Sequence, residues 1–328
     1  MVMEVTQVSK MPEQQRPPQE APEQSRVGDR SAMLKMLLAS PGGLKKLMVM
    51  GPDEERYVRP PRDYELPVYR KSMKRCTSDE KYLRPTRWCN PREPLVVALA
   101  NELGAYELLD REFAEAAYWW VKNNLLLEMR PLNGVSATLK RGTGMCYHLT
   151  SVFVALCRAA GIKARYKTFN VLLGEDLPID FEMPGFEMFN TGSTPEGEGE
   201  VCIDGKWVVG HVASPVTLLA SMGTPLWALG EDVVDIGPKI GAPAAVPGSE
   251  KHFESLSLWV GLFMGIGMRF TKAAMERANV YFSTTHPKGK KILEEAGGQQ
   301  AYDRKAREKL LTHQTVKPRD HEELLFTE

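Results

Sequence analysis

Arg141-Gly142-Thr143-Gly144-Met145-Cys146, followed by Leu149, Val152, Phe153, Leu156 and Ala160, then Gly161 and Ile162-Lys163-Ala164-Arg165, is the stretch that decides the fold. The apolar residues recur at i, i+3, i+4 and i+7, which predicts a helix from about Cys146 to Ala160 with one buried face. Gly161 is placed to end it, because a left-handed residue closes a helix C-terminus most easily as glycine. The residues after it, 164–173, alternate like a strand. A glycine-rich loop therefore delivers Cys146 to the first turn of a helix. There, unpaired N–H groups and a partial positive charge favour a thiolate and can hold a developing oxyanion. Cys157, inside the helix, and Cys202, inside a strand, read as structural.

Working outward, Glu200-Val201-Cys202-Ile203, Asp204-Gly205 and Lys206-Trp207-Val208-Val209 predict a β-hairpin, since Asp-Gly suits a two-residue turn. Such a turn sets 203 opposite 206, 202 opposite 207 and 198 opposite 211. Residues 196, 198, 200, 202, 207, 209 and 211 then share one face. His211 would lie opposite Glu198 and diagonal to Glu196 and Glu200, provided that the strands run on through Gly197, Gly199 and Gly210. Three glutamates on one strand also suit a plain solvated face.

Gly144-Met145-Cys146 and Cys157-Arg158-Ala159-Ala160-Gly161-Ile162-Lys163-Ala164-Arg165 resemble the core motif of the transglutaminase-like superfamily, and the hairpin resembles its second motif. The resemblance covers about 93–225. It implies an α+β fold, a papain-like transglutaminase core with helices packed on an antiparallel sheet, and a Cys–His–Asp triad. The family holds transamidases, amidases, peptidases and members without activity. Laid on without gaps, the family's His position falls at Glu196 and its Asp position at His211, so acid and base are exchanged.

Two readings follow. In the first, the chain is a cysteine-dependent acyl-transfer enzyme (amidase, peptidase or transamidase). Cys146 is the nucleophile, His211 the general base, Glu196 or Glu198 its orienting acid, and the Met145 and Cys146 amides the oxyanion donors. Its substrate would be an amide- or acyl-bearing small molecule or peptide. A variant puts Glu196 beside Cys146, which raises the thiol pKa and gives a Cys/Glu pair for a different reaction. In the second, the fold is a scaffold that has lost the parent chemistry and binds a ligand or protein partner. His148, two residues beyond Cys146, points away from it and reads as a surface or interface histidine. His252, His286, His313 and His321 lie far along the chain.

The rest of the chain is less specific. Residues 1–30 are poor in apolar side chains and read as a disordered tail without a signal peptide. Residues 31–92 read as a helical arm and an extended wrapping segment, 93–235 as the transglutaminase-like domain, 236–250 as a linker, and 251–328 as a helical C-terminal extension. Helices are expected from Leu95 to Leu103 and from a cap at Asp110 through Leu125, with Trp119 and Trp120 in packing roles. Residues 174–195 read as a long loop. The apolar run 256–268 is too short to span a bilayer, so it reads as a helix buried on the domain or on an identical partner, giving a possible homo-oligomer.

Across 328 residues, 42 Lys plus Arg balance 42 Asp plus Glu, which removes the electrostatic case for nucleic acid. Five scattered cysteines form no CxxC pair, and no His-Glu-x-x-His spacing occurs. The expectation is therefore no metal, no cofactor, no disulfide framework, no membrane span and a reducing cytoplasm.

Overall fold

The computed structural model describes residues 45, 48–172, 193–232, 244–246 and 248–316. The arm at 31–50, apart from Lys45 and Met48–Met50, and nearly all of the 174–195 loop lie outside the described residues, as does the 1–30 tail.

The core begins with α1 (Pro94–Glu102) and α2 (Asp110–Asn124). Next come the short strand β1 (Leu126–Leu127), α3 (Val135–Arg141) and β2 (Thr143–Gly144), then α4 (Cys146–Ala159). Three long strands follow, β3 (Ala164–Leu172), β4 (Ser193–Ile203) and β5 (Lys206–Gly210), and then α5 (Val216–Ser221). Two short strands, β6 (Ala244–Ala245) and β7 (Lys251–Phe253), precede three helices, α6 (Leu258–Phe270), α7 (Lys272–Ala296) and α8 (Gln299–Val316). The larger sheet runs β5-β4-β3-β6, with β7 also pairing with β3, and all of its pairings are antiparallel. The chain thus has an α+β fold with helices packed on an antiparallel sheet.

The hairpin has the expected register, with Ile203 opposite Lys206 and Cys202 opposite Trp207, and it continues to Gly199 opposite Gly210. Both turn residues have positive φ, 51° at Asp204 and 74° at Gly205, so the turn follows the twist of its strands. The strand glycines do not break the sheet. A Cβ at Gly197 would sit 2.6 Å from the Tyr147 ring, and one at Gly199 or Gly210 2.6 or 2.7 Å from Phe153. These positions make room for aromatic side chains of α4 to lie directly on the sheet. The intervening residues, Glu196, Glu198, Glu200 and Cys202, form the alternate set.

Helix α4 is the centre of the main core. Leu149, Val152, Phe153, Leu156 and Cys157 are fully buried against α1, α2 and the sheet. Arg158 is buried too. Its guanidinium donates to Ala164 O (3.0 and 2.8 Å), Arg84 O (3.0 Å) and Glu254 O (2.7 Å), joining the helix end to three segments. Arg158→Met would strand the buried Ala164 carbonyl and two part-buried ones, so it should cost about 2 kcal/mol or more, measured by urea unfolding. A loss below about 1 kcal/mol would show that other groups or water serve those carbonyls.

Several details differ from the sequence reading. Asp110 is not a cap. Leu109 holds that position, and its amide donates to Glu112 Oε2 at 3.1 Å, the carboxylate half of a capping box. Helices α3 and α5 are too short for their periodicity to stand out. In the segment before α1, Tyr64 Oη donates to Leu139 O (2.6 Å) and the Cys76 amide to Ala159 O (3.2 Å). Residues 244–245 and 251–253, in or beside the stretch read as a linker, add strands to the sheet.

Of the two alternatives for 256–268, burial on the domain is met only in part. Gly261 meets the Trp88 indole, yet Leu258, Leu262, Ile266 and Phe270 are each 45–55% exposed. These residues are spaced by four and form one stripe. A helix apolar on all sides needs contacts all round, and the domain supplies them on only part of its surface.

Candidate active site

The glycine-rich loop hands Cys146 to the first turn of α4, with Met145 as N-cap in extended conformation. Gly142, at φ 80°, ends α3 in the left-handed conformation that a side chain would resist. Beyond it, Arg141 Nε donates to Thr143 O at 3.0 Å and lies 3.7 Å from Glu128 Oε2, while Thr143 Oγ1 donates to the same carboxylate. These contacts fix the loop from below.

His148 is not a surface histidine; it is 1% exposed. Its Nδ1 accepts the Met145 amide at 3.2 Å, and its Nε2 lies 3.2 Å from the Asn133 amide. Burial, with the Arg141 and Arg130 charges, lowers its pKa to about 3, so the ring is neutral. The side chain at the helix's third position therefore reaches back to the N-cap amide, as the carboxylate of a capping box does. This corrects the oxyanion assignment, because the Met145 N–H is turned to the imidazole. The amides that approach the Cys146 sulfur are those of Tyr147, Gly197 and Cys146 itself.

On the sheet, His211 stands just beyond β5. Its Nδ1 is 2.8 Å from Glu198 Oε1 and its Nε2 is 3.7 Å from Glu196 Oε1. His211 and Glu198 are buried, and Glu196 keeps partial exposure. Burial lowers the His211 pKa to about 4 and raises Glu198 to about 8. Both shifts favour the uncharged forms, a carboxylic acid beside an imidazole. Burial also raises Glu196, against the opposing pull of His211.

Cys146 keeps some exposure as a residue, but its thiol is enclosed. Enclosure and then the Glu196 charge push the thiol up to about 12, outweighing the three amides. The helix terminus alone was expected to lower that pKa. The thiol's acidity is set by desolvation and by the acid beside it. The structure thus groups Glu196, Glu198 and His211, and the Glu196 charge is felt at the Cys146 thiol.

Further groups support this cluster. Lys167 Nζ is 3.7 Å from Glu198 Oε2 and pairs with Asp232. Buried Lys122 donates to Tyr118 Oη (3.1 Å), whose hydroxyl donates to Trp227 O (2.6 Å) and approaches His211 O (3.4 Å). Burial lowers Lys122 to about 7. Neither lysine stood out in sequence, since each is one basic residue in an ordinary helix or strand pattern. Gly197 had a legible signal, a glycine between two glutamates in a strand. His252 folds back onto β3, with Nδ1 2.9 Å from Glu200 Oε2, and His286 Nδ1 is 2.8 Å from Thr217 Oγ1. The side chains of His313 and His321 lie outside the described residues. Among the described residues no group of His, Cys, Asp or Glu is arranged to hold a metal, and no helix is long and apolar enough to cross a membrane.

A helix headed by cysteine thus packs on an antiparallel sheet beside an acid–histidine cluster. Residues 97–209 match the family model of the transglutaminase-like superfamily, a cysteine-dependent enzyme family. A solved structure of a candidate cysteine protease from Cytophaga hutchinsonii is similar at 21% identity and a TM-score of 0.32, over 54% of this chain and 51% of that one. The chain thus spans about half the length of that protein. No curated protein matches the chain.

Proposed function

We propose that the chain is a cysteine acyl-transfer enzyme of amidase type in which Glu196, rather than a histidine, is the general base for Cys146. What supports this is the Glu196 charge, which holds the Cys146 thiol pKa up, at the strand position where the family resemblance calls for histidine. A partly buried carboxylate with a raised pKa is a stronger base than an ordinary one and lies closer to working pH.

The resting pair is a neutral thiol beside a carboxylate. With Glu198 protonated, its O–H donates to His211 Nδ1, and the proton on Nε2 faces Glu196 across 3.7 Å and orients that carboxylate electrostatically. His211 is thus a positioning residue. As the sulfur attacks the acyl carbon, the S–H proton passes to Glu196 and the carbonyl oxygen takes the negative charge. The Tyr147, Gly197 and Cys146 amides that approach the sulfur are the donors available to it. Glu196 returns the proton to the departing amine as the C–N bond breaks, leaving a thioester. Water or an acceptor amine then loses a proton to Glu196, attacks the thioester and releases Cys146, which regains its proton.

The test is acyl transfer from a p-nitrophenyl ester, followed by mass shift at Cys146 across pH. The expected rate rises as Glu196 ionises and then levels off well below the thiol pKa of about 12. Cys146→Ala should abolish it. A rate still climbing tenfold per pH unit at pH 10 would mean a free-thiolate reaction. No adduct on Cys146 at any pH would leave the ligand- or partner-binding scaffold, a reading that the high thiol pKa favours.

A further inference from the structure

Lys167 and Asp232 take no part in the steps of acyl transfer. Lys167 stands directly opposite Glu198 across the β3–β4 pairing, and its side chain is buried. Its Nζ pairs with Asp232 Oδ2 and stays 3.7 Å from Glu198 Oε2. We propose that Lys167 and Asp232 are positioning residues: by holding the ammonium off Glu198, Asp232 keeps Glu198 in its acid form and so fixes His211 as the tautomer with its proton on Nε2, toward Glu196. The use of that tautomer in catalysis rests on the reading of Glu196 as the base for Cys146.

The first observation is how Glu198 is bonded. Its Oε1 is 2.8 Å from His211 Nδ1, while its Oε2 is buried without a hydrogen-bond partner. An ionised carboxylate with a buried, unpaired oxygen is costly, and the carbonyl oxygen of a neutral acid is much less so. The acid's O–H on Oε1 then donates, Nδ1 accepts, and the ring proton sits on Nε2. The second observation is how firmly Asp232 is placed. The residues before it are pinned by the Gly230 amide to Val209 O (2.7 Å), by Tyr118 Oη to Trp227 O (2.6 Å), and by Arg307 from α8 to both Glu231 oxygens (2.7 Å each).

The surrounding charges agree with this division. On β4, Glu200 is engaged by Arg165 from β3 and His252 from β7, which leaves Glu198 and Asp232 to share the Lys167 ammonium. Burial raises the Glu198 pKa, Lys167 opposes it, and the Asp232 and Glu200 charges add to it. Lys122 and Tyr118 face Glu198 from α2, and Glu196 lies on the far side of the His211 ring. With Asp232 uncharged, the ammonium can close on Glu198 Oε2. The Glu198 proton then passes to Nδ1 and the Nε2 proton is released to water, which turns a lone pair toward Glu196.

The experiment is NMR of the histidine ring nitrogens in the full chain, with His211 assigned by its loss in His211→Gln. Near neutral pH the wild-type Nδ1 should be unprotonated, and it should gain a proton as pH rises through about 8, where Glu198 ionises. Asp232→Asn should lower that transition by about one pH unit or more, and Lys167→Met should raise it. In the Lys167→Met background, Asp232→Asn should move it by clearly less. A protonated Nδ1 with bare Nε2 in wild type near neutral pH, a transition unmoved by Asp232→Asn, or an equal shift with and without Lys167 would each overturn the proposal. The wild-type titration decides the tautomer even if a variant does not fold. Ester cleavage, which Asp232→Asn should slow near neutral pH, is read on the same samples. A transition that moves while cleavage does not would support the Lys167–Asp232 assignment and remove His211 from the orienting of Glu196.

Discussion

Glu196→Gln should drive two reactivities of Cys146 in opposite directions. Alkylation by iodoacetamide needs only the thiolate, and the Glu196 charge works against the thiolate. Neutralising that charge lowers the thiol pKa. Each unit of lowering supplies about ten times more thiolate but a weaker nucleophile, for a net gain of about threefold at neutral pH. Acyl transfer through a general base should instead fall by about 10^2 to 10^4, because the proton acceptor is gone. Alkylation is read by mass spectrometry and acyl transfer by ester cleavage on the same protein. If both reactions slow together, Glu196 is not the repulsive neighbour described, and the base assignment fails. Cys157 is the internal control. It is fully buried, and its burial raises the thiol pKa, so it should stay unlabelled in both proteins.

Gly289→Ala should be the most destabilising single-methyl change in the C-terminal helices. Helix α7 crosses α5 so closely at Gly289 that an added Cβ would fall 1.8 Å from Thr217 O and 2.6 Å from its carbonyl carbon. Those are backbone atoms and cannot swing aside as a side-chain end would. Overpacking a core usually costs 1–3 kcal/mol, and a rigid obstacle puts this site at the upper end, about 3 kcal/mol or more. Lys288→Ala, next to it and exposed, should stay within about 0.5 kcal/mol. Urea unfolding of both variants decides the matter, and a Gly289→Ala chain as stable as wild type would mean that the helices do not meet so closely. The crossing matters beyond stability. Helix α5 starts at Val216, five residues after His211, so the helical extension braces the segment that carries that ring.

The parts of the molecule legible in sequence are those governed by local physics. The helix from Cys146 to Ala159, the strand from Ala164 and the hairpin turn at Asp204-Gly205 follow from periodicity, a closing glycine and turn chemistry, all acting within a few residues. The register that set His211 near Glu198 followed from the turn alone, because pairing is counted outward from it.

What sequence could not weigh was desolvation. A thiol at a helix N-terminus reads as acidic, but enclosure and a neighbouring carboxylate reverse the sign, and both depend on residues some 50 positions away. The same holds for His148, whose helical position said that it pointed away from Cys146 but not that it pointed into the core at the Met145 amide. The glycines of β4 and β5 looked like weaknesses in strands, and only the rings of Tyr147 and Phe153 give them a purpose. Amphipathic pattern told that α6 was apolar, but how much of it is covered depends on what the domain places beside it. Local sequence thus determined which elements form and how the hairpin pairs. Tertiary packing decided protonation, burial and contact, because those depend on the sum of atoms brought near from all parts of the chain.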